Sequence, residues 1–392
     1  MTNYKITKTA CYFTCATMSV MANISPLLFM TFRGMYGFSY TLMGLLVVMN
    51  FSTQLLIDLI FSFFAKHFDI HKTVRLTPFM AFLGLVFYAL MPKFFPSSAF
   101  AFIAIGTVVF SVAAGLAEVL ISPVIAAIPA ENPEKEMSRL HSVYAWGTAG
   151  VVIFSTVLLS LIGNENWHFV ALILALVPLV SSILFCFSPL PNMTVDTARG
   201  GRVLTTGLLL CVLFIFLGGA AECTMSQWVS GFAEGALGVP KVAGDVFGLA
   251  LFGVMLGIGR TAYAKYGKNI INVMLLGMIG AGVCYIVAAL SENAVVSLIA
   301  CALTGIYTSM LWPGTLIYAE EKIVGLGVSA YALLAAGGDL GASLVPQLVG
   351  VVSDGFGMRY GMLAAAVFPL LGIIIALIMK KYFAGGEKNG SV

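Results

Sequence analysis

The sequence predicts an all-α membrane protein of twelve spanning helices, arranged as two six-helix bundles. Three observations predict it: a charge-poor composition, twelve apolar runs of spanning length, and an internal echo between the first six runs and the last six. Of 392 residues, 60% are hydrophobic and 9% charged, against about 25% charged in soluble domains. Mean hydropathy is +1.01. Such a composition excludes a cytosolic enzyme, a nucleic-acid binder and a disordered chain. The net charge of +3 is too small to recruit a polyanion, and no nucleic-acid partner is expected. The bulk of the chain belongs in lipid.

A spanning helix needs about 20 mostly apolar residues. Twelve such runs follow one another, at roughly 9–32, 41–65, 75–92, 98–129, 140–162, 168–188, 204–228, 243–264, 270–290, 294–319, 328–350 and 360–381. Lys5 and Lys8 precede the first run, which reads as a spanning helix because it is too long for a signal-peptide core. Breaks between runs carry charge, glycine or proline. The longest holds Pro191, Asp196, Arg199, Gly200, Gly201 and Arg202 and divides the runs six and six. The expected domains are 1–190, a cytoplasmic linker 191–203, a second bundle 204–384 and a short disordered tail 385–392.

Orientation follows the distribution of Lys and Arg. With the N-terminus inside, sixteen of the twenty basic residues fall in inner segments, while only Arg33, Lys93, Lys241 and Arg359 fall outside. Both termini are therefore expected in the cytoplasm, in a cell inner membrane. The seven cysteines all lie in apolar runs, where no disulfide framework forms. Cys11 and Cys15 share a helical face, but no histidine or third thiol stands near them, so they read as packing residues.

Residue-level echoes support the six-plus-six division. Gly115, Pro123 and Glu131 recur as Gly305, Pro313 and Glu321, an offset of 190. Ser142, Tyr144, Ala145, Ala149 and Gly150 recur as Ser329, Tyr331, Ala332, Ala336 and Gly337, an offset of 187. Odd runs match odd runs, so the repeat is parallel, with a pseudo-two-fold axis along the membrane normal.

On these features the chain resembles the major facilitator superfamily over essentially its whole length. The loop after span 2, Ala65-Lys66-His67-Phe68-Asp69-Ile70-His71-Lys72, keeps the basic residues of that family's loop signature but lacks its glycine. A clearer echo, Gly350-Val-Val-Ser-Asp354-Gly-Phe-Gly357-Met-Arg359, follows span 11. Glu118 with Pro123 and Pro129, Asn23-Ile24-Ser25-Pro26, Trp312-Pro313-Gly314 and Gly218-Gly219-Ala-Ala-Glu222 resemble the fucose–galactose–glucose:proton symporter family. That resemblance implies two bundles rocking about a central cavity, with the span 4 glutamate coupling a proton. Ser25 stands where the family usually carries a span 1 aspartate.

Carboxylates inside spans are costly and mark a pathway or a pairing. Glu118, deep in a long span 4, is the expected proton-coupling group; the alternative is a structural hydrogen bond to a neighbouring helix. Glu222 lies about 18 residues above the inner end of span 7, roughly 27 Å at 1.5 Å per residue, which places it near the outer mouth. With Gln227 and Trp228 it suits a sugar, or else forms an interfacial belt. Asp58 in span 2 and Asp339 in span 11, which could pair with Arg260 at the inner end of span 8, read as gating residues or as substrate contacts. Asp245 opens span 8 at the outer interface. No arginine is expected at mid-span. Asn23, Tyr144, Trp146, Tyr307 and Trp312 are the remaining candidates for lining a cavity, although most aromatics pack or face lipid. Trp312 leads them because Pro313 frees a backbone carbonyl.

The expected function is secondary active import of a small neutral polar solute, a sugar, by a monomer that uses a proton (or sodium) as coupling ion. No metal ligand set, cofactor motif or nucleophile–base pair is visible, so no enzyme is expected. The alternatives are a drug or metabolite exporter, a uniporter, or a sensor that has lost transport.

Overall fold

In the computed structural model, residues 3–64, 67–130, 133–191, 205–323 and 328–389 are described. The expected linker from 192 onward and the Ala65-Lys66 part of the loop signature lie outside them. The described residues are helical with short connections and contain no strand. Spans 1 to 6 are Lys5–Tyr36, Tyr40–Phe64, Ile70–Phe94, Ala99–Ala127, Pro133–Ile162 and Trp167–Cys186. Spans 7, 9 and 11 are Thr206–Leu237, Ile270–Leu290 and Val328–Phe356.

The helices run past the hydropathy boundaries because polar caps end a helix where hydropathy only marks lipid contact. Span 3 starts at Ile70 because the Asp69 carboxylate accepts the Lys72 N–H at 3.1 Å, an N-cap in the usual sense. Span 1 ends where Gly37 takes φ +69° and returns its N–H to Arg33, the left-handed stop that glycine tolerates.

Three spans are interrupted. Span 8 is Lys241–Ala243, a π-helical Gly244–Ala250 and Leu251–Tyr266. Span 10, expected as one run, is two helices, Ala294–Thr308 and Leu311–Lys322. Span 12 breaks between Met358–Ala365 and Val367–Asn389. Its second helix continues to Asn389, into residues expected to form a disordered tail.

The chain forms two compact units, one of Met1–Phe38 with Ser52–Thr197 and one of Ser39–Phe51 with Ala198–Val392. The first three turns of span 2 therefore go with the second unit, not the first as expected. Glycines explain this. A side chain on Gly350 would meet the Tyr40 backbone, and one on Gly44 would meet Gln347, so small residues let spans 2 and 11 touch.

In the first unit, Phe32, Tyr88, Phe110 and Trp167 form a buried aromatic core, with Phe32 and Trp167 edge to face at 5.0 Å. Gly84 lies on Phe110 and Gly106 on Tyr88, which draws spans 3 and 4 together. In the second unit Phe214, Trp228, Phe232 and Tyr285 are fully buried, and Gly337 and Gly341 seat span 11 on Val212 and Phe216 of span 7.

Candidate functional site

The break in span 10 begins with a proline that cannot donate. Pro313 falls in the first turn of Leu311–Lys322, where its missing N–H costs nothing to its own helix. The carbonyl four residues back, on Ser309, thereby loses its helical donor. Arg260 supplies one: its Nε donates to the Ser309 carbonyl at 3.2 Å. The same guanidinium donates from Nη2 to Glu222 Oε1 at 3.0 Å. The planar fork of arginine allows both bonds at once. Arg260 is 40% exposed and Glu222 15%, so the pair is reachable but largely sheltered. The other carboxylate oxygen, Glu222 Oε2, is buried and has no partner among the described residues.

This arrangement corrects two expectations. Span 7 extends to Leu237, so Glu222 is midway along the helix, about 24 Å from Thr206 at 1.5 Å per residue. It does not stand at a mouth. An arginine does act at mid-span: Arg260 sits six residues from the end of its helix and reaches Glu222 through its long side chain. Asp339 is buried in span 11. Its negative charge and those of the Glu222–Arg260 pair all bear on Cys223, so the three charges share one neighbourhood.

Trp312 completes that neighbourhood. A side chain on Gly338 would enter its indole ring, and one on Gly219 would meet both the ring and the Gly338 carbonyl. The ring thus stands in a slot cut by two glycines beside Glu222 and Asp339. The other candidates of this unit are packed. Gln227 is buried. Trp228 is fully buried, with its indole N–H on the Pro346 carbonyl at 2.9 Å, so it forms no interfacial belt. Tyr307 lies half-buried against Gly280 of span 9. Asp245, expected at the interface, is fully buried, pairs with Lys241 at 3.1 Å and accepts from Ser230.

In the first unit Glu118 stands apart. It lies nineteen residues beyond Ala99 along span 4, its side chain is exposed, and it makes no hydrogen bond or ion pair among the described residues. Gly115, one turn earlier, packs on Gln54 and Ile57 of span 2. Spans 2 and 4 run the same way, so the half-buried Asp58 lies on a turn level with Glu118. Trp146 is 72% exposed, and Tyr144 is half-buried with its carbonyl accepting from Ser19 at 2.8 Å. Asn23 is buried and donates back to the Ser19 carbonyl at 2.8 Å. Ser25 is also buried and shares a hydrogen bond of 3.0 Å with the Tyr88 hydroxyl.

Two contributors escaped the reading of residues. The Ser309 carbonyl was findable, since a proline always orphans the acceptor four residues before it. Asp354 stands in the sequence only as part of a loop echo. Its carboxylate accepts the N–H groups of Tyr40 and Thr41 at 2.8 and 2.7 Å, capping span 2 from 314 residues away. Nothing local in the sequence signals that partner.

A family model for the Major Facilitator Superfamily matches residues 10–328. Among curated proteins, none matches the sequence. Solved structures share the fold at low identity. A bacterial homologue of the human lysosomal transporter Spinster, inward-facing and occupied, superposes with TM-score 0.79 at 14% identity, over 97% of this chain and 98% of that one. A D-xylose–proton symporter gives 0.79 at 14%, over 96% and 97%. The E. coli fucose:proton symporter gives 0.64 at 15%, over 96% and 99%.

Proposed function

Because the chain belongs to the Major Facilitator Superfamily, we propose that this multi-pass membrane transporter imports a small neutral polar solute, a sugar, by proton-coupled alternating access. The observation that carries the coupling is Glu118, an exposed carboxyl at depth in span 4 with no ion-pair partner among the described residues to hold its charge. Such a group can take a proton from one side of the membrane and release it to the other. One proton moving down 100 mV supplies about 2.3 kcal/mol, enough for roughly fifty-fold accumulation at 1.4 kcal/mol per decade.

The solute class rests on the second unit. The Glu222–Arg260 pair is neutral as a whole and offers both acceptors and donors, Asp339 adds a further acceptor beside it, and the Trp312 ring gives a flat apolar face. Hydroxyls and ring C–H groups of a sugar match that combination. Orientation follows the sixteen-to-four division of basic residues, with both termini cytoplasmic.

The test is uptake of radiolabelled hexoses into proteoliposomes, with and without an inward proton gradient, for the wild type and Glu118→Gln. Gradient-driven accumulation that is lost in the variant while exchange persists supports the proposal. Entry indifferent to both gradient and variant makes the protein a uniporter. Absence of any hexose transport refutes the sugar reading and points to export of another solute or to a sensor that has lost transport.

A further inference from the structure

We propose that a recess at the ends of spans 9, 10 and 12 binds the headgroup of an anionic phospholipid. The recess has a volume of about 380 Å³ and is lined by Ile270 and Ile271 of span 9, Tyr318 and Lys322 of span 10, and Lys380 and Phe383 of span 12. All belong to the second unit. The inference stands apart from the solute site and from the identity of the solute.

Charge favours an anion there. Lys322 and Lys380 both line the recess, and the one acid among its lining residues, Glu321, is 56% exposed and meets Lys322 at 3.3 Å. Among the lining residues the balance is one positive charge. Lys380 uses one of its three donors on Asn272 Oδ1 at 2.8 Å, which points its ammonium across the start of span 9 and leaves two donors.

The backbone adds to this. Span 9 begins without a side-chain cap, after Asn269 in the left-handed region at φ +53°. The N–H groups of Asn272 and Val273 turn back to the Asn269 carbonyl. Those of Ile270 and Ile271, two residues that line the recess, have no acceptor among the described residues. Unmatched N–H groups and the positive end of the helix dipole favour a phosphate, here in company with two lysines.

Apolar surface selects the lipid over a free anion. Tyr318 and Phe383 floor the recess edge to face at 5.3 Å. Spans 9 and 12 pack together through Gly372 on Met278 and Gly282 on Leu370. Moving away from the recess, both expose apolar side chains, Leu276 and Ile279 on one, Leu377 and Ile374 on the other. A headgroup in the recess therefore leaves its acyl chains beside surface they can cover. Basic pockets between spanning helices on the positively flanked side of a membrane recognise such headgroups.

The test is native mass spectrometry of the full-length protein with equimolar phosphatidylglycerol and phosphatidylcholine. The wild type is expected to retain one phosphatidylglycerol preferentially. Each lysine is worth about a fivefold preference, from about 1 kcal/mol per basic residue, so Lys322→Gln with Lys380→Gln should lower the selectivity about 25-fold. Lys381→Gln, an exposed neighbour outside the recess, should leave it unchanged, and Lys380→Arg should retain it. Should the double variant fail to fold, the comparison of Lys380→Arg with Lys380→Gln decides by the same criterion. Equal selectivity in wild type and lysine variants overturns the proposal. So does displacement of the lipid by an equal concentration of glycerol phosphate, which would make the occupant a soluble anion.

Discussion

Arg260 donates from Nε to the Ser309 carbonyl at 3.2 Å, the acceptor that Pro313 deprives of a helical partner. A break in one helix thereby fixes the orientation of a guanidinium on another, and the guanidinium in turn holds Glu222. The broken span is part of the charged site and not a defect beside it.

That chain of dependence can be taken apart at Pro313. Pro313→Ala returns an N–H to the Ser309 carbonyl and removes the need for Arg260 Nε. The variant is expected to be as stable as wild type or slightly more so, yet to transport several-fold more slowly, because Arg260 is no longer held in register. Arg260→Ala should cost about 2 kcal/mol, in the range for hydrogen bonds to charged groups, by stranding Glu222. Adding Glu222→Gln should recover most of that loss, since removing both charges is cheaper than leaving one. Unfolding in detergent and exchange in proteoliposomes separate the two effects. A Pro313→Ala variant with wild-type exchange would contradict the positioning role.

Gly338 makes a narrower prediction. Its missing Cβ is the space into which the Trp312 indole fits. Gly338→Ala forces the ring aside at a cost of about 1–3 kcal/mol, as overpacking does. If Trp312 is a face for the solute, KM should rise at least several-fold while kcat changes less. A fall in stability with unchanged KM would leave Trp312 a packing residue.

How much of this was readable in advance differs element by element. The spans were legible because lipid demands continuous apolar runs, and the interruption of span 10 was legible in Pro313. Hydropathy misplaces Arg260 because it locates a residue by its Cα, while a guanidinium acts a long side chain away. Hydropathy puts Glu222 too high because the apolar run reads as ending at Trp228, whereas the helix continues to Leu237. Trp228 could belong to a belt or a core on sequence grounds. The Pro346 carbonyl that settles it lies 118 residues further along, as invisible locally as the Asp354 cap on Tyr40.

Ser25 and Tyr88 share a hydrogen bond of 3.0 Å inside the aromatic core. Ser25→Ala leaves the Tyr88 hydroxyl buried without its partner, at about 1–3 kcal/mol. Ser25→Ala with Tyr88→Phe should be closer to wild type than either single variant predicts, a coupling that a double-mutant cycle measures. Strict additivity would show that the hydroxyls find other partners. Neither variant is expected to alter proton coupling, because the pair is sealed from solvent.

Glu136 governs the acid side of stability. Its carboxylate accepts from Lys8 at 3.0 Å and from Arg139 at 2.9 Å, with the Tyr12 hydroxyl at 3.4 Å. The hydrogen bond from Lys8, foremost, and the nearby charges of Lys8 and Arg139 hold its acidity below the ordinary glutamate range. A group whose folded pKa is depressed contributes its full stability above the unfolded value, about 4.3 for glutamate, and loses it as pH falls through the lower folded value. Because Lys8 is in span 1 and Glu136 at the start of span 5, acid should loosen the attachment of the N-terminal helix first. Thermal unfolding of the wild type should therefore weaken below pH about 4.3 more steeply than that of Glu136→Gln, and high salt should shrink the difference by screening the exposed part of the network. Parallel acid profiles for the two proteins would show that the Lys8–Glu136 contact contributes nothing to stability.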